Sequence, residues 1–179
     1  MTIAPGSRFE RPEWERRFLL PRLPADVVIT EVRQITDRYL DGTTLRLRKM
    51  IGSEGSAAFK LTQKRSHHAA GAFQGKLTTI YLTEEEYNVL AALPAHAIEK
   101  TRYSVPPFGI DVFTGNLAGL ILAEAEFRSA EEATALKVPP FLAHEITSDP
   151  RFTGGALSLT TREGLIADLE EFGIVVALE

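Results

Sequence analysis

The chain has 179 residues, of which 44% are hydrophobic and 25% charged, enough for one domain with a hydrophobic core. No apolar run approaches the roughly 20 residues of a membrane-spanning helix, and residues 1–11 lack the apolar segment of a secretory signal. The absence of cysteine excludes disulfides and thiolate metal sites, and the net charge of -4 argues against non-specific nucleic-acid binding. We therefore expect one cytoplasmic domain over 1–179, with 1–11 as a loose N-terminal arm. It should bind neither nucleic acid polymers nor membranes, and its oligomeric state stays open, a homodimer included.

Most of the chain alternates polar and apolar residues with a period of two, in short runs that are typical of antiparallel strands. The dipeptide Asp41-Gly42 between the second and third runs predicts a tight hairpin. Two helices should begin at Thr83 and Ser129, each with a Glu three residues later as in a capping box, and a third should span 161–172. The predicted strands are 13–20, 29–40, 43–51, 57–65, 72–82, 97–105, 109–114 and 119–128. This pattern indicates a mainly β (α+β) fold with a few covering helices.

The charges on the predicted strands are sorted by sign and recur at even spacing. Because alternate side chains of a strand point to the same face, each set of charges lies on one face of its strand. If the sheet closes into a barrel with these faces inward, about seven cations and about five carboxylates line one cavity. The acidic positions are Glu13, Glu15, Asp111, Glu124 and Glu126; the basic ones are Arg17, Arg46, Arg48, Lys60, Lys64, Lys100 and Arg102.

This charge pattern points to a particular ligand. Buried ions cost several kcal/mol each unless they are paired or solvated, so a fold that collects them has a use for them. Arginine and lysine suit phosphate oxygens, and clustered carboxylates suit a hard cation such as Mg²⁺ or Mn²⁺. The pattern therefore predicts a site for a metal-bound polyphosphate. The alternative is that the charged faces are solvated and the apolar faces form an ordinary sandwich core.

The motifs resemble those of the CYTH domain proteins, also called triphosphate tunnel metalloenzymes. The family signature Glu-x-Glu-x-Lys is matched by Glu13-Trp14-Glu15-Arg16-Arg17. Further matches follow in order at 39–48, 61–64, 99–103, 110–113, 119–127 and 145–152, so that the resemblance covers roughly residues 13–160.

The resemblance implies a closed eight-stranded antiparallel β-barrel, or tunnel, that hydrolyses or cyclises triphosphates with Mg²⁺ or Mn²⁺. By similarity, the phosphates would be held by Arg46, Arg48, Lys64, Lys100 and Arg102. The metal would be held by Glu13, Glu15, Asp111, Glu124 and Glu126. Catalysis would fall to Glu13, Glu15, Arg17 and Glu126.

The chain departs from the family pattern on two strands. Arg17 stands where the signature has Lys, and Leu77 and Thr79 stand where relatives commonly carry a Glu pair on the fifth strand. The leading prediction is hydrolysis of inorganic tripolyphosphate or of a small organic or nucleoside triphosphate, as in a bacterial inorganic triphosphatase. A non-catalytic polyphosphate- or nucleotide-binding module and a class IV-type adenylyl cyclase remain the alternatives.

Overall fold

The computed structural model describes residues 11–67 and 73–176, with the backbone alone at 11–13, 64–67 and 73–76. Residues 1–10 of the predicted arm lie outside these ranges. Within them, no helix is both long and apolar enough to cross a membrane.

Nine strands of the described residues form one sheet, and every pairing in it is antiparallel. Each of the eight predicted strands is present, within a few residues of its expected bounds. The ninth is a two-residue strand that the sequence did not predict. In chain order the strands are β1 (Arg11–Leu19), β2 (Glu31–Leu40), β3 (Leu45–Gly52), β4 (Ala57–His67), β5 (Phe73–Leu82), β6 (Ala95–Val105), β7 (Phe108–Phe113), β8 (Ile121–Phe127) and β9 (His144–Glu145).

The strand order is β5-β4-β3-β2-β6-β7-β8-β1-β9, and β1 also pairs with β5. Residues 11–15 of β1 lie opposite 73–77 of β5, whereas Phe18 and Leu19 lie opposite β9. The first strand therefore has β8 along one edge and both β5 and β9 along the other.

The hairpin between β2 and β3 forms as predicted, but its connection is longer than the tight turn expected from Asp41-Gly42. The connection occupies four residues, 41–44, and Gly42 adopts φ 68°, where glycine has no steric penalty. The Thr43 hydroxyl donates to Leu40 O at 2.9 Å and accepts from Leu45 N at 3.0 Å, which stabilises the wider loop. The longer loop shifts the pairing of the two strands, so that Asp37 lies opposite Arg48.

The two helices with a predicted cap begin there. The first, α1 (Glu84–Ala91), carries the complete capping box of Thr83 and Glu86, and α2 (Ala130–Ala135) is capped by the Ser129 hydroxyl. A short helix that was not predicted, α3 (Gly154–Leu157), precedes α4 (Arg162–Glu170), which begins after Thr161. Two 3₁₀ turns lie at Gly115–Leu117 and Pro150–Phe152.

The apolar faces of the strands are covered by these helices and by loops. Leu47 and Phe59 are buried against Tyr87 of α1, with the two ring centroids 4.9 Å apart. A second cluster surrounds Phe18 and Ile110, and a third joins the ends of the central strands to α3, α4 and the 3₁₀ turns. The first two clusters lie on the apolar faces of the strands, so the opposite, charged faces are left to line a cavity, and the third cluster forms one part of its wall.

Candidate functional site

The charged faces of the strands surround a cavity of about 950 Å³. This arrangement matches the inward-facing pattern rather than a solvated outer face. The described residues that line the cavity include six cations, Arg17, Arg46, Arg48, Lys60, Lys100 and Arg102, and four carboxylates, Glu15, Asp37, Glu124 and Glu126.

Asp37 is the centre of the basic cluster on β2 and β3. It is 1% exposed, and its two oxygens accept from Arg48 Nε at 2.6 Å and Arg48 Nη2 at 2.7 Å. Arg46 Nε lies 3.6 Å from Asp37 Oδ1. Burial alone would raise the pKa of Asp37, but Arg48, with smaller contributions from Arg46 and Lys100, holds that pKa well below its usual range. Asp37 therefore stays ionised and orients two of the predicted phosphate-binding arginines.

Tyr39 lies next to this cluster and also lines the cavity. Burial, together with the negative charge of Asp37, raises the pKa of Tyr39 to about 12. The phenol is therefore protonated at neutral pH and can donate a hydrogen bond. Its hydroxyl lies so close to Gly154 that a Cβ at that position would overlap it, which explains the glycine there.

A second network joins β6, β7 and β8. The Asp111 carboxylate is fully buried and accepts from Lys100 Nζ at 2.5 Å and from Arg102 Nε and Nη2, both at 2.6 Å. Arg102 Nη2 also donates to Glu124 Oε2 at 2.7 Å. Lys100, Arg102 and Glu124 line the cavity, and Asp111 lies behind them. The predicted metal ligand Asp111 thus has both oxygens engaged by the two predicted phosphate-binding cations.

The remaining carboxylates lie on the adjacent strands β1 and β8. Glu15 pairs directly with Glu126, and Arg17 with Glu124, so that all four side chains share one face. Glu15 is 6% exposed, and its Oε1 lies 3.4 Å from Arg17 Nε. Carboxylate oxygens from neighbouring strands are the donor type that Mg²⁺ and Mn²⁺ prefer. Across the described side chains, however, no three acidic or histidine residues converge closely enough to enclose a metal ion.

Two predicted site residues are described by their backbone alone. Glu13 precedes Glu15 by two residues on β1, opposite Gly75, and Lys64 lies on β4 opposite Leu77. Their side chains lie outside the described part of the structure.

The β5 wall of the cavity is uncharged where it is described. Leu77, Thr79 and Tyr81 line it, and Thr79 Oγ1 lies 3.3 Å from Thr62 Oγ1 of β4. Lys60 Nζ lies 4.9 Å from the centre of the exposed Tyr81 ring, within cation–π distance. The departure from the family pattern on the fifth strand is thus located in the cavity itself.

One part of the cavity wall is apolar. Ile98, Phe113 and Leu122 lie on the cavity-facing sides of β6, β7 and β8. They belong to the same core cluster as Phe152 and Leu157. We call residues 146–157, which include the Pro150–Phe152 turn and α3, the floor segment. Residues 145–152 match the family in sequence, but neither the floor segment nor Asp37 was predicted to lie at the site, because only long-range pairing brings either of them there.

No family model matches the chain. A curated relative, the inorganic triphosphatase of Nitrosomonas europaea, is 32% identical over 155 residues, which cover 83% of this chain and 97% of the relative. A crystal structure of an inorganic triphosphatase is 27% identical, with a TM-score of 0.54 and coverage of 83% of this chain and 95% of that one. A second crystal structure of that same protein, described there as hypothetical, is 29% identical, with a TM-score of 0.55 and coverage of 83% of this chain and 99% of that one.

Proposed function

Because the chain belongs to the CYTH, or triphosphate tunnel metalloenzyme, family, we propose that it hydrolyses a phosphoanhydride bond of inorganic tripolyphosphate or of a small triphosphate ester. The observation that carries the proposal is that basic side chains from β1, β3, β4 and β6 and acidic side chains from β1, β2 and β8 share one cavity. That combination suits a highly charged anion with a metal ion bound to it.

We propose that the sheet closes into the eight-stranded tunnel that the family resemblance implies. Support comes from the pairing of β1 with β8 along one edge and with residues 73–77 of β5 along the other. Closure makes the acidic strands β1 and β8 and the basic strands surround one cavity. It also shields the reacting phosphates from bulk water, in which electrostatic contacts are weaker.

The phosphate oxygens would be held by the cations of the two networks. Arg48 and Arg102 offer planar forks for two-point contact, whereas Lys64 and Lys100 offer single charges. Asp37 and Asp111 hold these side chains in fixed directions, so that less conformational entropy is lost when the substrate binds. Asp111 would act in this way as a positioning residue. Arg46 adds a further charge beside Asp37.

The family is in general dependent on divalent metal ions. Glu13, Glu15, Glu124 and Glu126 would hold Mg²⁺ or Mn²⁺, which when bound orients phosphate oxygens and lowers the pKa of water. Glu126, directly opposite Glu15, would accept a hydrogen bond from the attacking water and align it. Water then replaces the bridging oxygen at the attacked phosphorus, and tripolyphosphate yields pyrophosphate and orthophosphate.

Phosphate release from tripolyphosphate, ATP and thiamine triphosphate, each with Mg²⁺, Mn²⁺ or EDTA, tests this function. We expect release that requires metal and is fastest with tripolyphosphate, since no base-recognition element was found in the sequence. The uncharged Leu77 and Thr79 in the cavity favour the binding-module alternative. Tight binding of tripolyphosphate by calorimetry without turnover would establish that alternative, and a cyclic nucleotide product from ATP would establish a cyclase.

A further inference from the structure

Arg17 is a cavity residue whose side chain is bonded to the floor segment at several points. Its side chain is 3% exposed. Nη1 donates to Phe152 O at 2.6 Å, and Nη2 donates to Thr147 O at 2.9 Å and to Asp149 O at 3.4 Å. Both terminal nitrogens of the guanidinium are thus bonded to backbone carbonyls of one short segment.

The backbone of Arg17 is bonded to the same segment. Arg17 N donates to Thr147 Oγ1 at 3.1 Å, and Arg17 O accepts from Ile146 N at 2.8 Å. The third nitrogen of the guanidinium, Nε, lies 3.4 Å from Glu15 Oε1. One side chain therefore links an acidic cavity residue to the segment that supplies part of the cavity wall.

From this geometry we propose that Arg17 is a positioning residue, which acts on the reaction by holding Glu15 and the floor segment in place rather than by contacting phosphate. The inference rests on the proposed function for its kinetic part. It differs from the catalytic role that the resemblance implies, because the terminal nitrogens of this side chain are bonded to the floor segment.

The shape of the side chain supports this role. A planar guanidinium presents its donors in fixed, diverging directions. Here the two terminal nitrogens bond three carbonyl oxygens, and Nε lies 3.4 Å from a carboxylate oxygen. Lysine has one nitrogen on a shorter stem, so it keeps the charge and loses part of this set. Methionine keeps much of the length and loses both charge and donors.

Arg16 provides a matched control on the same strand. It points to the opposite face, where Nε and Nη2 bond Glu145 at 2.8 and 2.6 Å, and it does not line the cavity. Arg16 therefore also joins β1 to the region of the floor segment through a guanidinium, but from outside the site.

The experiment compares Arg17→Lys, Arg17→Met, Arg16→Lys and Arg16→Met. The measurements are kcat and KM for tripolyphosphate with Mn²⁺, the Kd of Mn²⁺ without substrate by calorimetry, and the thermal unfolding midpoint.

Changes to residues that orient metal ligands typically cost about 10-fold to 100-fold in activity or metal affinity. We expect kcat to fall about 10-fold in Arg17→Lys and about 100-fold in Arg17→Met. KM should change by less than about threefold, and Mn²⁺ binding should weaken about 10-fold in Arg17→Met. Both Arg16 variants should stay within about twofold of the unmodified protein in kcat and Mn²⁺ affinity.

Three results would overturn the proposal. A rise in KM with unchanged kcat would make Arg17 a phosphate ligand. Equal losses in the Arg16 and Arg17 variants would reduce its role to general stability, and no change in kcat or Mn²⁺ affinity would remove the role altogether. If Arg17→Met does not fold, Arg17→Lys decides by the same criteria. If the unmodified protein does not hydrolyse tripolyphosphate, the proposed function fails, and the Mn²⁺ affinities still decide whether Arg17 positions Glu15.

Discussion

Arg48 and Asp37 face each other across the β2–β3 pair and form a two-point contact, with Arg48 Nε and Nη2 at 2.6 and 2.7 Å from the two carboxylate oxygens. The carboxylate is almost completely buried, whereas Arg48 reaches the cavity. This pair therefore couples the stability of the sheet to the direction of a phosphate-binding side chain.

Asp37→Asn should destabilise the fold by about 3 kcal/mol, because it removes one partner of a buried ion pair and leaves a cation uncompensated. Urea unfolding at pH 7 measures the effect. Asp41→Asn is the control, since Asp41 is exposed and its ion pair with His96, at 3.5 Å, is exposed as well. This variant should lower the unfolding free energy by less than about 0.5 kcal/mol. Equal costs for the two variants would mean that the Asp37–Arg48 contact adds no stability.

The contribution of Asp37 should also depend on pH in a defined direction. The pKa of Asp37 in the folded protein lies well below its ordinary value of 3.8, so the unfolded chain takes up a proton before the folded one does. The stability from this group is therefore complete well above pH 3.8 and is lost as the pH falls through the folded-state pKa. The gap in unfolding free energy between the unmodified protein and Asp37→Asn should be constant from about pH 8 to 5 and narrow below about pH 4. A gap that narrows near pH 6 would contradict the assignment.

Arg48→Ala and Glu124→Gln should separate substrate binding from turnover. Loss of a charge-assisted two-point contact costs about 2 kcal/mol, so Arg48→Ala should raise KM for tripolyphosphate about 30-fold. Glu124→Gln keeps the size of the side chain and removes a proposed metal ligand, so it should lower kcat about 100-fold and change substrate affinity little.

The control for Arg48→Ala is the double variant Asp37→Asn, Arg48→Ala. Arg48→Ala alone leaves the buried Asp37 carboxylate without its two-point partner, and the double variant removes that charge too. The double variant should therefore be more stable than Arg48→Ala, but its affinity for tripolyphosphate should stay as low. Small, equal effects of Arg48→Ala and Glu124→Gln on both kinetic constants would mean that the charged cavity is not the site of reaction.

Asp111→Asn distinguishes a positioning role for this residue from metal ligation. Removing the charge between Lys100 and Arg102 should cost about 3 kcal/mol in unfolding free energy and raise KM for tripolyphosphate. Because both Asp111 oxygens are bonded to these cations, the Kd of Mn²⁺ measured by calorimetry should change less than about threefold. A loss of more than about 10-fold in Mn²⁺ affinity would instead make Asp111 a metal ligand.

The sequence predicted the strands well because their two-residue alternation is local and strong. It also predicted the capped starts of α1 and α2, since each cap needs only a hydroxyl at Thr83 or Ser129 and the turn that follows, and it placed the start of α4 within one residue. By contrast, β9 is two residues long and forms only by pairing with β1, so no periodic pattern reveals it.

The role of Asp37 could not be predicted for a reason of register. A two-residue turn at Asp41-Gly42 would pair Asp37 with Arg46, whereas the four-residue loop pairs it with Arg48. The Thr43 hydrogen bonds that select the longer loop depend on its final geometry. Likewise, the contacts of Arg17 with Thr147 and Phe152 join positions 130 and 135 residues apart in the chain. The candidate site was therefore predicted as a set of charges, but the contacts that orient those charges were not.

The most direct test of the account is the anomalous diffraction of Mn²⁺ in crystals grown with tripolyphosphate. We predict a Mn²⁺ peak at the acidic wall of β1 and β8, next to the paired Glu15 and Glu126, with phosphate oxygens within hydrogen-bond distance of Arg48 and Arg102. A Mn²⁺ peak or a tripolyphosphate located outside this cavity would contradict the assignment of the charged cavity as the active site.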